Sequence, residues 1–557
     1  MSTDKRDTDH IENVGKEING GYAEHHEDLD MVKVTEGDIP DCLVEEVSYG
    51  PGGIKGIISS PYVVGAAFLA SLGGFSFGYD QGVISVINVM PQFHKQFPET
   101  NPDNSGSGFY TGFMTAMLEL GAFLGCFFMP KLADKISRKW ALTVVVIIFN
   151  IGAIIQTCAF SYGQLVAGRT IGGIGVGTLA LLRGALLVLE SISIVSGVVI
   201  AYWITYGTRY IDSEVSFRLP FGLQILSAAL LGTCIHFFPY SPRWLCLAGR
   251  DDDALKSLSK LRRLPPTDER VQTEWRGIMA EVEFQRVVLE NVHPGKSGLK
   301  LELLTWFDLF RKKNIRRTIV GCGVAFFQQF SGINAFIYYA PILFQSIGNS
   351  YDTSLILSGV LNIMQLVAVI LCFFVIDRVG RRPLAIWGGF ASTVPYIIIA
   401  ILVSLYSSDW LSHKPAGWAC VAMAFLYILT YGISYAPLGW CLPSEVFSNA
   451  TRAKGVALST STVWLCNFII GVAVPPMLES AGFGTYVFFA CWCFLAGVWA
   501  FFLVPETKGR SLEEMDLVFG DATGVREMEI MRVAVEEVRV RVRGMDGGKG
   551  EVGDGDV

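Results

Sequence analysis

Twelve stretches of this chain are apolar for about 20 residues each, the length a helix needs to cross the roughly 30 Å hydrocarbon core of a bilayer. The first six fall at 62–88, 108–130, 141–160, 163–182, 184–206 and 220–239. A second six fall at 318–346, 354–376, 384–406, 416–442, 456–478 and 484–504. A soluble globule cannot hide that pattern: 51% of the 557 residues are hydrophobic and only 17% are charged, and mean hydropathy is +0.43. The expected fold class is therefore all-α integral membrane, with about twelve transmembrane helices in two sets of six. Residues 1–60 are rich in Asp, Glu, Gly and Lys and lack an apolar core, so they read as a disordered tail, not a cleavable signal. Residues 246–316 are polar, with runs such as Asp251-Asp252-Asp253 and Arg311-Lys312-Lys313, and read as a solvated helical linker between a 61–245 half and a 317–504 half. A tail at 505–557 follows.

Basic residues set the orientation. Lys131, Lys135, Arg138 and Lys139 follow span 2, Arg378, Arg381 and Arg382 follow span 8, and Arg452 and Lys454 follow span 10. The loops on the other side carry few, such as Lys95 and Lys414. By the positive-inside rule both termini and the linker are cytosolic. The sequon Asn449-Ala450-Thr451 then faces the cytosol and is not expected to be glycosylated. The net charge of −7 implies no nucleic-acid partner. The twelve cysteines form no C-x-x-C pair, and Cys126, Cys158, Cys234 and Cys372 lie in apolar runs as free thiols. No Ser/His/Asp triad, metal-ligand spacing or P-loop stands out, so the chain is read as a non-enzyme without cofactor or metal. Gly172-Gly173-Ile174-Gly175-Val176-Gly177 imitates a nucleotide loop, but it lies in an apolar span with no strand before it, and close helix packing through small residues explains it better.

The two halves echo each other. Leu132-Ala133-Asp134-Lys135-Ile136-Ser137-Arg138-Lys139 follows the second span of the first half, and Val375-Ile376-Asp377-Arg378-Val379-Gly380-Arg381-Arg382 follows the second span of the other. Arg183-Gly184 opens span 5, as Arg452-Ala453-Lys454-Gly455 opens span 11. Further motifs are Phe77-Gly78-Tyr79-Asp80-Gln81-Gly82-Val83-Ile84, Gly168-Arg169, Gln328-Gln329-Phe330-Ser331-Gly332-Ile333-Asn334 with Tyr338-Tyr339, Pro443-Ser444-Glu445 and Pro505-Glu506-Thr507-Lys508-Gly509-Arg510. In this order and spacing the chain, from Phe77 to Asp516, resembles the sugar porters of the major facilitator superfamily in their fungal form. That resemblance implies a substrate site between the halves near the midplane.

A sugar is a ring of hydroxyls, each a donor and an acceptor, so a site for it needs amides plus an aromatic face. Span 7 supplies Gln328, Gln329 and Asn334. On a regular helix the last two would point about 140° apart, so a helix break is expected at Ser331-Gly332. The resemblance implies sugar contacts for these three residues and for Asn362, Trp440 and Asn467. It gives Tyr338 and Tyr339 the role of an outer gate, against the alternative of plain aromatic packing. Asp80 lies inside span 1, where a carboxylate is costly, and Arg169 inside span 4 is its natural partner. In proton-coupled relatives an acid here takes up the proton and an arginine in span 4 pairs with it when it is ionised, which would bias the bundle between two conformers. A static ion pair is the other reading. The resemblance also implies a cytosolic charge network of Asp134, Arg138, Arg243, Asp377, Arg381, Arg382, Glu445, Arg452 and Glu506.

The chain departs from that family at the junction of spans 4 and 5. Gly177 runs through Thr178-Leu179-Ala180-Leu181-Leu182 straight to Arg183-Gly184, without the usual proline, aromatic residue, glutamate and short loop. Glu445 precedes Arg452 by seven residues, whereas Val176 stands seven before Arg183. Shortened helices or a snorkelling Arg183 would accommodate the join, but the intact flanking motifs favour a short segment lost from the gene model. Smaller departures are Pro130 and Ser137 for glycines, Tyr240 for the glutamate before Ser241-Pro242-Arg243 (which costs Arg243 its usual partner), Glu190-Ser191 for a glutamine of the sugar site, and Ala436 for the glycine before Pro437. The expectation is a plasma-membrane monosaccharide carrier working by alternating access as a monomer in the lipid bilayer, with sugar and proton as partners. Facilitative uniport, a non-transporting sugar sensor and an inactive splice form are the alternatives. The Val538-Arg539-Val540-Arg541-Val542-Arg543 alternation is read as a solvated segment.

Overall fold

The computed structural model describes residues 61–179, 187–448, 450–510, 515, 518–519, 530–539 and 541–542. The tail 1–60, the junction with Arg183 and Gly184, sequon residue Asn449 and much of the C-terminal tail lie outside the described residues, as does the side chain of Asp134.

Lipid cannot hydrogen-bond a backbone, so a spanning segment must satisfy its amides internally. All regular elements among the described residues are accordingly helical. The first half holds α1 (Pro61–Ile87), the short α2 (Pro91–Gln96), α3 (Ser107–Ile136), α4 (Arg138–Thr157), α5 (Tyr162–Leu179), α6 (Leu187–Thr208) and α7 (Val215–Cys234). The linker forms α8 (Pro242–Leu247), α9 (Asp251–Arg262), α10 (Glu269–Val292) and α11 (Gly298–Asp308). The second half holds α12 (Lys312–Phe330), α13 (Ile333–Ser346), α14 (Tyr351–Val379), α15 (Arg381–Tyr406), α16 (Lys414–Ile433), α17 (Tyr435–Val446), α18 (Arg452–Ala481) and α19 (Phe483–Leu503). Ten stretches among the described residues are long and apolar enough to cross a bilayer, with α12–α13 and α16–α17 each making one. Helices α1 and α5 stand where the first and fourth spans are expected.

Small residues let the helices approach closely. Gly78 and Gly82 of α1 lie against the α6 backbone at Ile194 and Val198, and Gly197 of α6 lies against Phe75. Gly173 and Gly177, from the nucleotide-loop look-alike, lie against the α3 backbone at Leu118 and Ala122, so their role is helix packing. The halves meet along α3 with α18, α6 with α14 and α1 with α13.

The C-terminal tail corrects one expectation. Residues 530–539 are helical, and Ala534, Val535, Val538 and Val542 are buried. Val535, Val538 and Val542 share a core with Leu258, Val271, Trp275 and Met279 of α9 and α10, and Arg541 pairs with Asp251 at 2.7 Å. The Val/Arg alternation hid this because the buried set, at 534, 535, 538 and 542, follows helical spacing and not a two-residue period.

Two special backbones anchor the second half. Helix α12 ends at Phe330 and α13 starts at Ile333, with Gly332 between them at φ +91°, so the expected break is present. A Cβ on Gly332 would strike the Tyr396 hydroxyl. At the start of α15, Gly380 has φ +97°, and a Cβ there would lie 2.6 Å from the Glu506 carboxylate. That carboxylate accepts from the backbone N–H groups of Arg381 (3.0 Å) and Arg382 (3.2 Å), capping α15 from a distant loop. Replacing Gly332 by Ala is expected to destabilise the protein by about 1–3 kcal/mol, from the left-handed backbone and the clash. Glu506→Ala, which uncaps α15, is expected to cost about 0.5–2 kcal/mol. Thermal unfolding of the purified variants measures both, and wild-type midpoints would contradict the capping and the strain.

Candidate functional site

The break at Ser331-Gly332 turns the span 7 amides onto one another. Asn334 Nδ2 donates to Gln329 Oε1, and Gln329 Nε2 donates to Gln328 Oε1 at 3.3 Å. Gln328 Nε2 donates in turn to the carbonyls of Tyr435 and Ala436, each at 3.1 Å, where α16 gives way to α17. Gln328 is thus committed to a backbone break, and the free hydrogen-bonding capacity rests with its neighbours.

These residues line a small cavity at the seam of the halves. Gln328, Gln329, Asn334, Trp440 and Asn467 from the sequence-based set all face it. Asn362 is buried but does not line it, whereas Gln365, one turn along α14, does. Phe77, Gln81, Ser191, Tyr431 and Trp464 complete the polar and aromatic wall. Phe77 and Trp464 pack edge to face with centroids 4.9 Å apart. Gln365 Oε1, Asn467 Oδ1 and Trp464 Nε1 are buried without a hydrogen-bond partner among the described residues. Gln81 and Phe77 belong to a motif that the sequence displays, yet nothing in it told which of its side chains turn inward.

Tyr338 and Tyr339 are both buried. The Tyr339 hydroxyl donates to Gly471 O at 2.8 Å. Tyr338 joins the halves: its hydroxyl donates to Glu119 Oε1 at 2.5 Å and accepts from Gln81 Nε2 at 2.9 Å and Asn467 Nδ2 at 3.2 Å. Glu119 was missed, although a carboxylate in the middle of a span is signal enough for a functional role. Further contacts cross between the halves at the end opposite the linker: Tyr202 to Leu355 O at 2.7 Å, Tyr351 to Val89 O at 3.1 Å, and Arg209 with Asp352 at 2.8 Å. That end is closed.

Asp80 and Arg169 come together as expected, both almost wholly buried, with Nη2 to Oδ2 at 3.5 Å. Arg169 Nη2 also donates to Thr115 O at 3.0 Å. Asp80 Oδ1 and Arg169 Nε and Nη1 have no hydrogen-bond partner among the described residues.

The second-half charges assemble at the linker end. Arg381 binds Asp377 at 3.0 Å and Glu445 at 2.9 Å, and the Thr507 hydroxyl donates to Glu445 at 2.6 Å. Arg382 donates to Phe501 O at 2.9 Å. Arg452 opens α18, and Arg138, exposed, opens α4. Arg243 is not left without a partner by the change to Tyr240: it pairs with Glu281 of α10 at 3.0 Å, a linker residue that the local motif could not reveal.

Comparison with known proteins agrees with this architecture. The proton:xylose symporter XylE, solved with bound 6-bromo-6-deoxy-D-glucose, superposes with a TM-score of 0.67 at 24% identity, covering 82% of this chain and 99% of that one. XylE from E. coli in a partially occluded inward open conformation gives 0.65 at 22% identity, over 81% and 100%. In sequence, the chain is 35% identical over 480 residues to the sugar transporter STL1 of Saccharomyces cerevisiae, covering 82% of this chain and 81% of that protein. It is 31% identical over 478 residues to the low-affinity glucose transporter HXT1 of the same yeast, covering 81% of each. The family model described as "Sugar (and other) transporter" matches residues 66–519. With two six-helix halves around an amide-lined cavity, the chain belongs to the sugar transporter family of the major facilitator superfamily and is a multi-pass membrane carrier, not an enzyme.

Proposed function

We propose that this protein carries a monosaccharide across the plasma membrane by alternating access, in symport with a proton. The observation that carries the reading is the cavity at the seam. Gln329, Asn334, Gln365 and Asn467 offer paired donors and acceptors there, Phe77, Tyr431, Trp440 and Trp464 offer ring faces, and several polar atoms remain unspent. A pyranose presents this combination in complement, with hydroxyls at its rim and C–H bonds on its faces. The names of the relatives, a glucose transporter and a proton:xylose symporter among them, support sugar as the cargo.

In this reading the functional unit is a monomer, with tails 1–60 and 505–557 and linker 246–316 in the cytosol. The end closed by Tyr202, Tyr351 and Arg209 is then the outer one, and the cavity serves the inner side. Sugar hydroxyls displace the bond from Asn334 to Gln329 and the bond from Asn467 to Tyr338, and Tyr338 and Tyr339 cover the site from outside. The Asp80–Arg169 pair supplies the coupling. Its one long contact is weak enough to be remade when the local charge changes, and a proton can drive the halves only by stabilising one arrangement more than the other. The Asp377, Arg381, Glu445 and Glu506 cluster holds the inner ends of the second half together as it moves.

Uptake of labelled hexose and pentose in a yeast host stripped of its own sugar carriers tests the reading, with and without a protonophore. Accumulation that the protonophore abolishes is expected; no uptake with the protein at the cell surface would refute it. Asn334→Ala removes two hydrogen-bonding groups from the site, so sugar affinity should fall at least about tenfold while surface expression persists. Unchanged affinity would take Asn334 out of the site. Asp80→Asn should abolish accumulation driven by a pH gradient but leave counterflow exchange running, and retained accumulation would exclude Asp80 from coupling.

A further inference from the structure

Glu119 of α3 is a second carboxylate in the same buried region, only 1% exposed. Its Oε1 accepts from the Tyr338 hydroxyl at 2.5 Å, a length typical of a hydroxyl bonded to an ionised oxygen. Its Oε2 is buried with no hydrogen-bond partner among the described residues. The charged and titratable groups facing it are Asp80 from α1, Arg169 from α5 and Tyr338 from α13, with the neutral Gln81 of α1 beside them. Packed along α3 on its other sides, α18 presents the neutral Asn467 at this depth, and the basic residues of α4, Arg138 and Lys139, lie at its linker end.

Charge balance makes this arrangement informative. Asp80 and Glu119 bring two negative charges, and Arg169 brings one positive charge. With all three ionised the cluster carries one uncompensated charge in a buried place, a costly state that a single bound proton cancels. Asp80 already has the guanidinium as its salt-bridge partner, whereas Glu119 has a neutral phenol on one oxygen and no hydrogen-bond partner on the other among the described residues. We propose that Glu119 is a proton-binding residue of this carrier, taking the proton on Oε2, and that Tyr338 transmits its protonation state to the sugar cavity. A proton from water forms the new O–H bond at Oε2 and returns to water on release, and no other covalent bond changes.

The transmission is geometric. Ionised Glu119 holds Tyr338 by a charge-assisted bond that ties α3 of one half to α13 of the other. Neutral Glu119 is a weaker acceptor, so that tie loosens. The same hydroxyl accepts from Gln81 and Asn467, which line the cavity, so loosening it changes which hydrogen bonds a sugar meets. Proton and sugar would thus bias the same contact between the halves.

This inference rests on the symport reading, and the test separates the two. The full-length protein is placed in lipid, and infrared difference spectra are recorded as pH is cycled without sugar. A protonated-carboxyl C=O band that titrates is expected, lost in Glu119→Gln, restored in Glu119→Asp and shifted in Tyr338→Phe. Absence of any such band from the wild-type protein, or its survival in Glu119→Gln, would overturn the assignment. Should Glu119→Gln fail to fold, Tyr338→Phe decides instead: an unshifted band would mean that the titrating acid is not the one bonded to Tyr338. Hexose counterflow in the same preparation reads transport separately. The band without counterflow would leave the proton site standing and remove the carrier reading, and counterflow without the band would do the reverse.

Discussion

Lipid gives a peptide group nothing to bond to, and the site exists because of how this chain meets that constraint. A helix can break inside a membrane only where other groups take over the freed amides and carbonyls. Two breaks occur in the second half, at Ser331-Gly332 and at Ser434, and they serve each other. Gln328, near the first, donates to the carbonyls of Tyr435 and Ala436 just past the second. The Tyr427 hydroxyl donates to Ser331 O at 2.8 Å, and the Ser331 hydroxyl donates to Gln328 O at 2.7 Å. Satisfying the backbone and exposing Gln329 and Asn334 to the cavity are therefore one structural solution. It also explains why Gln328, first in the sequence motif, is mostly occupied with the fold.

The contacts that close the end opposite the linker are of a kind that can open. Tyr202 and Tyr351 each spend one hydroxyl on a backbone carbonyl of the other half. Net hydrogen bonds of this sort are worth about 1 kcal/mol each. Arg209 stacks on Tyr206 and Tyr210 within its own half and reaches Asp352, which is 71% exposed and can return to water at little cost. A seal of several weak, separate bonds suits a two-state bundle, because binding energy of a few kcal/mol is enough to select between its states.

Much of this was legible in the sequence, because the strongest rules of membrane folding are written in single residues. The apolar spans, the repeated basic loops and the break at Ser331-Gly332 each follow from local chemistry. Gln328, Gln329 and Asn334 stood out as amides clustered in one span, whereas Trp440 and Asn467 came only from the family resemblance; all five line the cavity. What stayed hidden depends on rotation and on distant partners. Gln365 rather than Asn362 faces the cavity because one helical turn decides which amide sits at its depth. Glu281 as the partner of Arg243, and the tail valines on α10, join segments far apart in the chain. Glu119 was overlooked although the rule that singled out Asp80 applies to it equally.

The two halves repeat in sequence, but the contacts described at their linker ends differ. In the second, Arg381 gathers Asp377, Glu445 and, through the Glu506 cap, the loop at 505–508, so α14, α15, α17 and that loop are bound as one body by charge. In the first, the residue matching Glu445 is Val176, buried among the apolar side chains of α3, α4 and α5. Tyr240 stands where the family's other acid would be, and it works as a ring. Lys139 lies over it at 5.3 Å, Trp140 donates to its hydroxyl at 3.2 Å, and it stacks on Trp244 at 5.8 Å. Arg243, released from that acid, reaches into the linker instead. Among the described residues of the first half, apolar packing around Val176, a cation on the Tyr240 ring and the Arg243–Glu281 pair that ties α8 to α10 are the contacts at the linker end.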